Sequence, residues 1–327
     1  MPCRGLACKS ALIFCNLPGA LFRGLWLTSD MLHRTEPNDP RPSLAGNPLV
    51  ASVLRENVRV SDERATIGLW GSWPFLLAEI SAFGRVLAIS RNSYAVLGTI
   101  AEYPDVVAVP CGHRGRASDG SLEFDFTCWH RAVAVVESRP GGWLYAVEFS
   151  DLRGEVIHKI CLTEQSDFEA FRGWVELNQT TTASETAYDG MRHASWLENS
   201  LLLSVSGAEM LRVEALCIFL QVATAERSAF QVIVGNDGAV QGVRLAPTAF
   251  CRNGQWIFAG DVDSGIHVRV ERLAEVYMHK VGECFALKAC DPEGHLVCAV
   301  IAPDGVDVGA WNERFIELAE DFSIDQT

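Results

Sequence analysis

Two stretches of this chain, about 140 residues apart, carry one pattern without a gap, and that duplication constrains the fold more than any other feature. Leu144-Tyr-Ala-Val-Glu-Phe-Ser-Asp-Leu-Arg-Gly-Glu-Val-Ile runs on to Cys161; Cys284-Phe-Ala-Leu-Lys-Ala-Cys-Asp-Pro-Glu-Gly-His-Leu-Val runs on to Ile301. Asp151 falls on Asp291 and Gly154 on Gly294, so each copy reads as an Asp-x-x-Gly turn between two apolar strands, a hairpin signature. The register continues through Asp167 and Asp307, Phe171 and Trp311, and Val175 and Phe315. Residues 166–177 and 307–318 therefore predict two equivalent helices, each opening on an acidic residue that suits a helix N-terminus. Upstream the offset drifts to about 144, where Asn92-x-x-Ala-Val-x-Gly98 matches Asn236-x-x-Ala-Val-x-Gly242.

Several matches in one order point to duplication. The expected fold class is α+β: two tandem structural repeats, each an antiparallel β-sheet with flanking helices, packed around a central cleft that forms the natural ligand site. The boundaries follow from composition. Residues 1–48 form a tail, 49–178 the first repeat, 179–194 a linker and 195–327 the second repeat. In the tail, apolar patches at 11–14 and 17–27 are broken by Pro18 and Arg23 and lack a small-x-small cleavage site, which argues for an extended start before Met31 or a disordered lead rather than a signal peptide. Within the first repeat, residues 72–81 predict a helix capped by Ser72 with Pro74 in its first turn, ended by Gly84 and followed by a buried strand over 85–90. A further helix is expected from Ala208 to about Thr224.

Composition narrows the function classes. A net charge of -14 opposes non-specific nucleic-acid binding, which needs clustered Lys and Arg, yet leaves room for an anionic ligand served by a few local cations. The 11 Cys are scattered, without paired CxxC spacing, so they fit a reducing cytosol better than a zinc site or a disulfide framework. No stretch approaches 18 uninterrupted apolar residues, so no membrane insertion is expected. Gly235-Asn-Asp-Gly238 lacks the Gly-Lys-Ser/Thr ending of a phosphate loop, and no Gly-x-Ser-x-Gly elbow occurs. His130, His158, His267 and His279 fall in predicted strands without HxxxH or HExxH spacing.

Four segments carry a family resemblance. Gly84-Arg-Val-Leu-Ala-Ile-Ser-Arg-Asn92 is similar to the "GRVMALTRN" segment of the bacterial hemin-degrading and hemin-transport factors, the HemS/ChuS-like proteins. Residues 149–159 (FSDLRGEVIHK) resemble their "FFDAxGDAVHKV" hairpin, residues 232–241 (VIVGNDGAVQ) resemble "VFVGNPGCIQ", and residues 265–269 (GIHVR) resemble "NLHLR". The similarity spans about residues 80–320 and includes the tandem architecture. The chain is identified as a divergent member. The resemblance implies a cytoplasmic protein that binds one heme between its halves, receives it from a heme importer and passes it on. In some members an electron donor drives oxidative opening of the macrocycle and release of iron.

The same resemblance suggests the site. Arg91 matches the "TRN" arginine on the distal, catalytic side; a surface ion pair is its ordinary alternative. Arg212 matches the "SRxQAL" arginine and Lys280 the "RKPT" basic pair, both implied on the propionate side, with a helix-surface Arg and an edge-strand Lys as alternatives. The family's axial histidine lies four residues after a Met, in "WRAMTDVHxF". Here that position, counted from Met191, is Ser195, a poor iron ligand, and His193 is the candidate metal ligand two residues earlier. The "FFGKR" segment is replaced by residues 300–304 (VIAPD). These departures support a second reading, a non-enzymatic descendant that has lost heme ligation and acts as an interaction or regulatory protein.

Overall fold

The computed structural model describes residues 43–53, 58–61, 63–109, 112–139, 142–180 and 208–324. The first half contributes helix α1 (Pro48–Ser52), strands β1 (Val58–Val60) and β2 (Arg64–Leu69), helix α2 (Trp73–Ala78), then β3 (Gly84–Arg91), β4 (Ala95–Glu102), β5 (Val106–Ala108), β6 (Arg114–Ala117), β7 (Leu122–Asp125), β8 (Arg131–Arg139), β9 (Gly142–Ser150), β10 (Val156–Ser166) and helix α3 (Phe168–Asn178). The second half runs β11 (Glu209–Leu211), helix α4 (Glu214–Glu226), β12 (Phe230–Gly235), β13 (Ala239–Leu245), β14 (Ala249–Asn253), β15 (Trp256–Gly260), β16 (Ser264–Arg269), β17 (Glu275–Val281), β18 (Cys284–Cys290), β19 (Leu296–Ile301) and helix α5 (Val308–Phe322).

Local chemistry sets these elements much as expected. Asp167 and Asp307 cap α3 and α5, each side chain accepting from the third N–H of its helix, on Ala170 and Ala310. The two Asp-x-x-Gly turns superpose in kind: Asp151 Oδ1 accepts from the N–H groups of Arg153 and Glu155, and Asp291 Oδ1 from those of Glu293 and His295. Gly154 and Gly294 close them at φ 83 and 82, a conformation in which a Cβ is strained. Ser72 occupies the N-cap of α2 without a side-chain bond, and a 3-10 turn over Ile80–Phe83 continues to Gly84 at φ 73. The helix expected from Ala208 starts later. Glu209–Leu211 instead pairs with β17, because an edge position beside a long strand outweighs the helical propensity of three residues.

The sheets reveal what the repeat pattern conceals. A ten-stranded sheet has the order β1-β2-β8-β9-β10-β3-β4-β16-β15-β14, and a nine-stranded sheet the order β11-β17-β18-β19-β12-β13-β7-β6-β5. The orders match strand for strand from β8-β9-β10-β3-β4 and β17-β18-β19-β12-β13 onward. Each sheet then ends in three strands taken from the other half. β16 joins β4 through pairs such as Gly265 with Gly98, and β7 joins β13 through Ala239 with Phe124. The halves are thus reciprocally exchanged. One core gathers Phe83, Phe149, Phe171 and Trp174 with Ala239 from the second half; the other gathers Phe219, Phe230, Trp311 and Phe315 with Ala95 and Leu97 from the first.

A pair of asparagines closes the exchange. Each bulged hairpin strand has one residue out of register, Ile157 in β10 and Val297 in β19, whose carbonyl the ladder does not use. Asn92 Nδ2 donates to Val297 O at 2.8 Å and Gly235 O at 3.0 Å. Asn236 Nδ2 donates to Ile157 O at 2.8 Å and Arg91 O at 2.7 Å. Each Oδ1 meanwhile accepts two N–H groups of its own turn, from Tyr94 and Ala95 or from Gly238 and Ala239. Beside this clasp Trp129 Nε1 donates to Gly238 O at 2.8 Å, and a Cβ at Gly238 would meet Ile157 at 2.8 Å.

Removing four such bonds at roughly 1 kcal/mol net each gives the expected cost of Asn236→Ala: about 2–4 kcal/mol in a urea-unfolding measurement. Asn236→Asp keeps the turn acceptor and loses the donors across the halves, so it should recover less than half of that loss.

Candidate functional site

Strand alternation assigns every side chain of the nine-stranded sheet to one of two faces. Val276, Met278, Leu287, Ala289 and Val300 pack with Leu216, Phe219 and Phe315 of α4 and α5. The opposite, outer face is read from the registers. His279 stands beside Ala286, and Tyr277 beside Lys288; Lys288 stands beside Ala299; Ala299 beside Ile233 and Ile301 beside Gln231; Ile233 beside Gly242 and Gln231 beside Arg244. Five strands at about 4.8 Å spacing make this floor about 19 Å across. Its middle is built of small side chains, Ala286, Ala299 and Gly242, with Ile233 and Ile301 between them. Cationic and polar groups stand at its sides: Lys288, His279 and Tyr277 at one, Arg244 and Gln231 at the other.

The equivalent face of the ten-stranded sheet differs in the same register positions. Glu148 pairs with Val133 and Lys159 there, as Lys288 pairs with Tyr277 and Ala299. Glu148 is bound by Arg64 and, at 2.9 Å, by Lys159. Those two cations hold its carboxyl below the usual range although burial opposes them. The first half therefore ties two cations of its own face to one buried carboxylate. In the second half a cation, Lys288, replaces the carboxylate, and an imidazole, His279, replaces Val135.

The titratable groups on the floor differ in availability. Neither ring nitrogen of His279 has a hydrogen-bond partner, and both are buried. Burial, then the Lys288 charge, pushes its pKa down, so the ring is neutral, the form that binds metals. Tyr277 donates to Glu275, and that bond with burial raises the phenol to about 12. Burial raises the thiol of Cys290. Of these three donors, the imidazole alone is unengaged and in its metal-binding form, since a thiol binds metal as the thiolate.

The residues singled out in the sequence do not share this floor. Arg91, half-exposed at the end of β3, lies 3.9 Å from Glu155, and its carbonyl is held by Asn236. Arg212 follows β11; its guanidinium donates to Asp321 O at 2.6 Å and sits 4.9 Å over Phe322. Lys280 is exposed on the helix side of its strand, 5.4 Å over the Phe285 ring, which itself stacks on Phe315. Arg212 and Lys280 thus flank α5, while Arg91 belongs to the other sheet. His193 and Ser195 lie outside the described residues. Sequence reasoning passed over His279 and Lys288 because their face depends on strand register; the alternation Tyr277-x-His279 was the available signal.

Other described histidines belong to the fold. His130 precedes β8 with its N–H bonded to Ser150 O, and His267 packs on Phe258 at 4.8 Å. His158 is wholly buried between Ser90 Oγ at 3.0 Å and the Tyr103 hydroxyl at 3.1 Å. A cluster of Asp291, Glu293 and His295 lies within metal-ligating reach. Its central Asp291 already serves the turn as Asp151 does in the first half, so it reads as turn architecture.

Comparison with known proteins bears on the family and the fold. A family model described as "Haem utilisation ChuX/HutX" matches residues 69–174, from the end of β2 into α3. Hemin transport protein HemS of Yersinia enterocolitica is 28% identical over 173 residues, 51% of this chain and 49% of that protein. Hemin transport protein HmuS of Yersinia pestis is 34% identical over 101 residues, 29% of this chain and 28% of that protein. The matched stretch thus spans about half of the first relative and less of the second. The fold is that of holo-PhuS, a heme-binding protein from Pseudomonas aeruginosa, at TM-score 0.66 and 19% identity over 79% of this chain and 86% of that one. It is equally that of ChuS, an E. coli heme oxygenase, at TM-score 0.66 and 17% identity over 77% and 88%. The molecule is a tandem-repeat protein with the fold of PhuS and ChuS. Its first half is similar to the haem-utilisation family ChuX/HutX, and part of the chain is similar to the hemin transport proteins HemS and HmuS.

Burial holds His158 at about 3 against an ordinary 6.5. The unfolded chain therefore takes up the proton first, so stability is full above pH 6.5 and drains away as the pH falls toward 3. By pH 5 this one group should cost about 2 kcal/mol. Urea unfolding of the parent and of His158→Gln at pH 7 and pH 5 checks it: the variant should be weaker at pH 7 but lose about that much less on acidification.

Proposed function

We propose that this chain binds one heme on the outer face of its nine-stranded sheet and works in cytoplasmic heme trafficking. The observation that carries the reading is the wide floor of Ala286, Ala299 and Gly242, flanked by Lys288 and Arg244. Small side chains on a β-sheet suit a broad, planar, apolar ligand, and the cations suit its carboxylates. The unpartnered nitrogens of His279 fit a metal-bearing ligand in particular. Heme, when bound, supplies an iron centre that takes an axial ligand from the protein and carries redox chemistry.

The protein's own contribution is to hold and orient. The floor excludes water from the apolar part of the ligand, and Lys288 and Arg244 counter its negative charge. The resemblance gives Arg91 a distal role, but it stands at the end of β3 in the other sheet, beside Glu155, and is not among the groups that line this floor. Arg212 and Lys280 serve a ligand only if it reaches around to the helix side, where they are held. Trafficking asks for reversible binding alone, whereas degradation also asks for electrons from a donor. Among the described residues no helix is long and apolar enough to cross a membrane.

Hemin titration followed by Soret absorption tests the reading, with saturation expected at one equivalent. Arg244→Glu reverses an exposed charge at the side of the floor and should weaken binding by about tenfold or more, roughly 1.4 kcal/mol, with an unchanged far-UV circular dichroism spectrum. Unaltered affinity in that variant would move the ligand off this face. A parent protein without saturable binding would favour the non-heme, interaction-protein reading.

For the choice between roles, holo-protein is mixed in air with ascorbate, or with apomyoglobin. Trafficking predicts transfer of heme to apomyoglobin with the Soret band conserved; rapid bleaching of the band by ascorbate would point to degradation instead.

A further inference from the structure

We infer that His279 of β17 is the iron ligand of this chain, so that ligation comes from the floor of the nine-stranded sheet rather than from the segment around Met191. The inference rests on the heme reading above and names the ligating side chain within it.

An imidazole 5% exposed with neither nitrogen hydrogen-bonded forfeits about 1–3 kcal/mol of desolvation. Such a group calls for a partner beyond the fold's own side chains, a bound ligand or a water. The other buried histidine with both ring nitrogens accounted for, His158, shows the ordinary solution: two hydroxyl partners at 3.0 and 3.1 Å. His279 has none, and the register places its ring on the face that carries the small-residue floor. Ala286, directly across the ladder, offers no bulk against a ligand approaching the ring.

Competing donors on that face are occupied or unreactive. Tyr277 is bonded to Glu275, and the thiol of Cys290 is disfavoured as a thiolate by burial. The duplication supplies an internal control. The register partner of Ala146 in the first half is Val135, where the second half has His279 beside Ala286. The imidazole is therefore an addition to one copy of a shared scaffold, and it comes with the exchange of Glu148 for Lys288.

The test uses the full chain loaded with hemin, with resonance Raman of the ferrous form to read the iron–imidazole stretch and absorption to read the Soret position. The variants are His279→Ala, His279→Gln and His193→Ala, with His295→Ala as an exposed control and thermal melting to confirm folding. The assignment expects both His279 variants to lose the iron–imidazole signature, shift the Soret band and bind hemin about tenfold or more weaker. Added imidazole should restore the spectrum of His279→Ala. A signature kept in the folded His279 variants and lost in His193→Ala overturns the assignment while leaving heme binding intact. If the parent protein itself takes up no hemin, the assignment falls together with the heme reading.

Discussion

Two asparagine side chains tie this molecule together. Asn92 and Asn236 each use the amide oxygen to close their own turn and the amide nitrogen to reach two carbonyls, the bulged one among them, in the other half. A bulge leaves a backbone carbonyl that the ladder cannot satisfy, and a buried carbonyl without a partner is costly. Because each repeat holds the donor for the other's bulge, neither satisfies its own backbone alone. The strand exchange follows the same logic on a larger scale, since β4 and β13 both find their outer neighbours in the opposite half. Local defects and long-range pairing thus demand the same reciprocal arrangement.

On that shared scaffold the two outer faces have diverged. The first half fills its face with an ion cluster of Arg64, Glu148 and Lys159, whose charges satisfy one another. The second half places Lys288 and His279 at matching registers and surrounds them with alanine and glycine. Duplication makes such divergence inexpensive in structural terms, because the hydrogen-bonded framework resides in the backbone and the clasp. Outer-face side chains can change their chemistry without disturbing the helix-side cores. The proposed function accordingly rests on the face of the second copy, where the first copy carries the ion cluster instead.

Much of the framework was legible in the residues. The paired turns at Asp151 and Asp291, the helix caps at Asp167 and Asp307, and the matched Asn92 and Asn236 motifs all appear where the alignment of the two halves puts them. The site was less legible. Arg212 and Lys280 resemble family residues by position, yet their side chains are engaged with Asp321, Phe322 and Phe285 on the helix side. A shift of one residue along a strand reverses the face a side chain occupies, so motif position alone could not decide between Lys280 and its neighbour His279. Glu209–Leu211 misled for a related reason, its state being decided by β17 some 65 residues later.

The duplication and the local geometry within each copy could be read from the residues alone. Those features depend on hydrogen bonds and apolar spacing spanning a few residues, and a chain segment carries that information with it. Folding of the whole chain settled that the halves exchange three strands each, that the asparagines reach across to the bulges, and that one outer face carries an ion cluster while the other presents an unpartnered imidazole. The clasp and the strand exchange join residues from 79 to 205 positions apart. Which partner such groups find depends on the register and burial of the whole assembly, and no local window of the chain contains it.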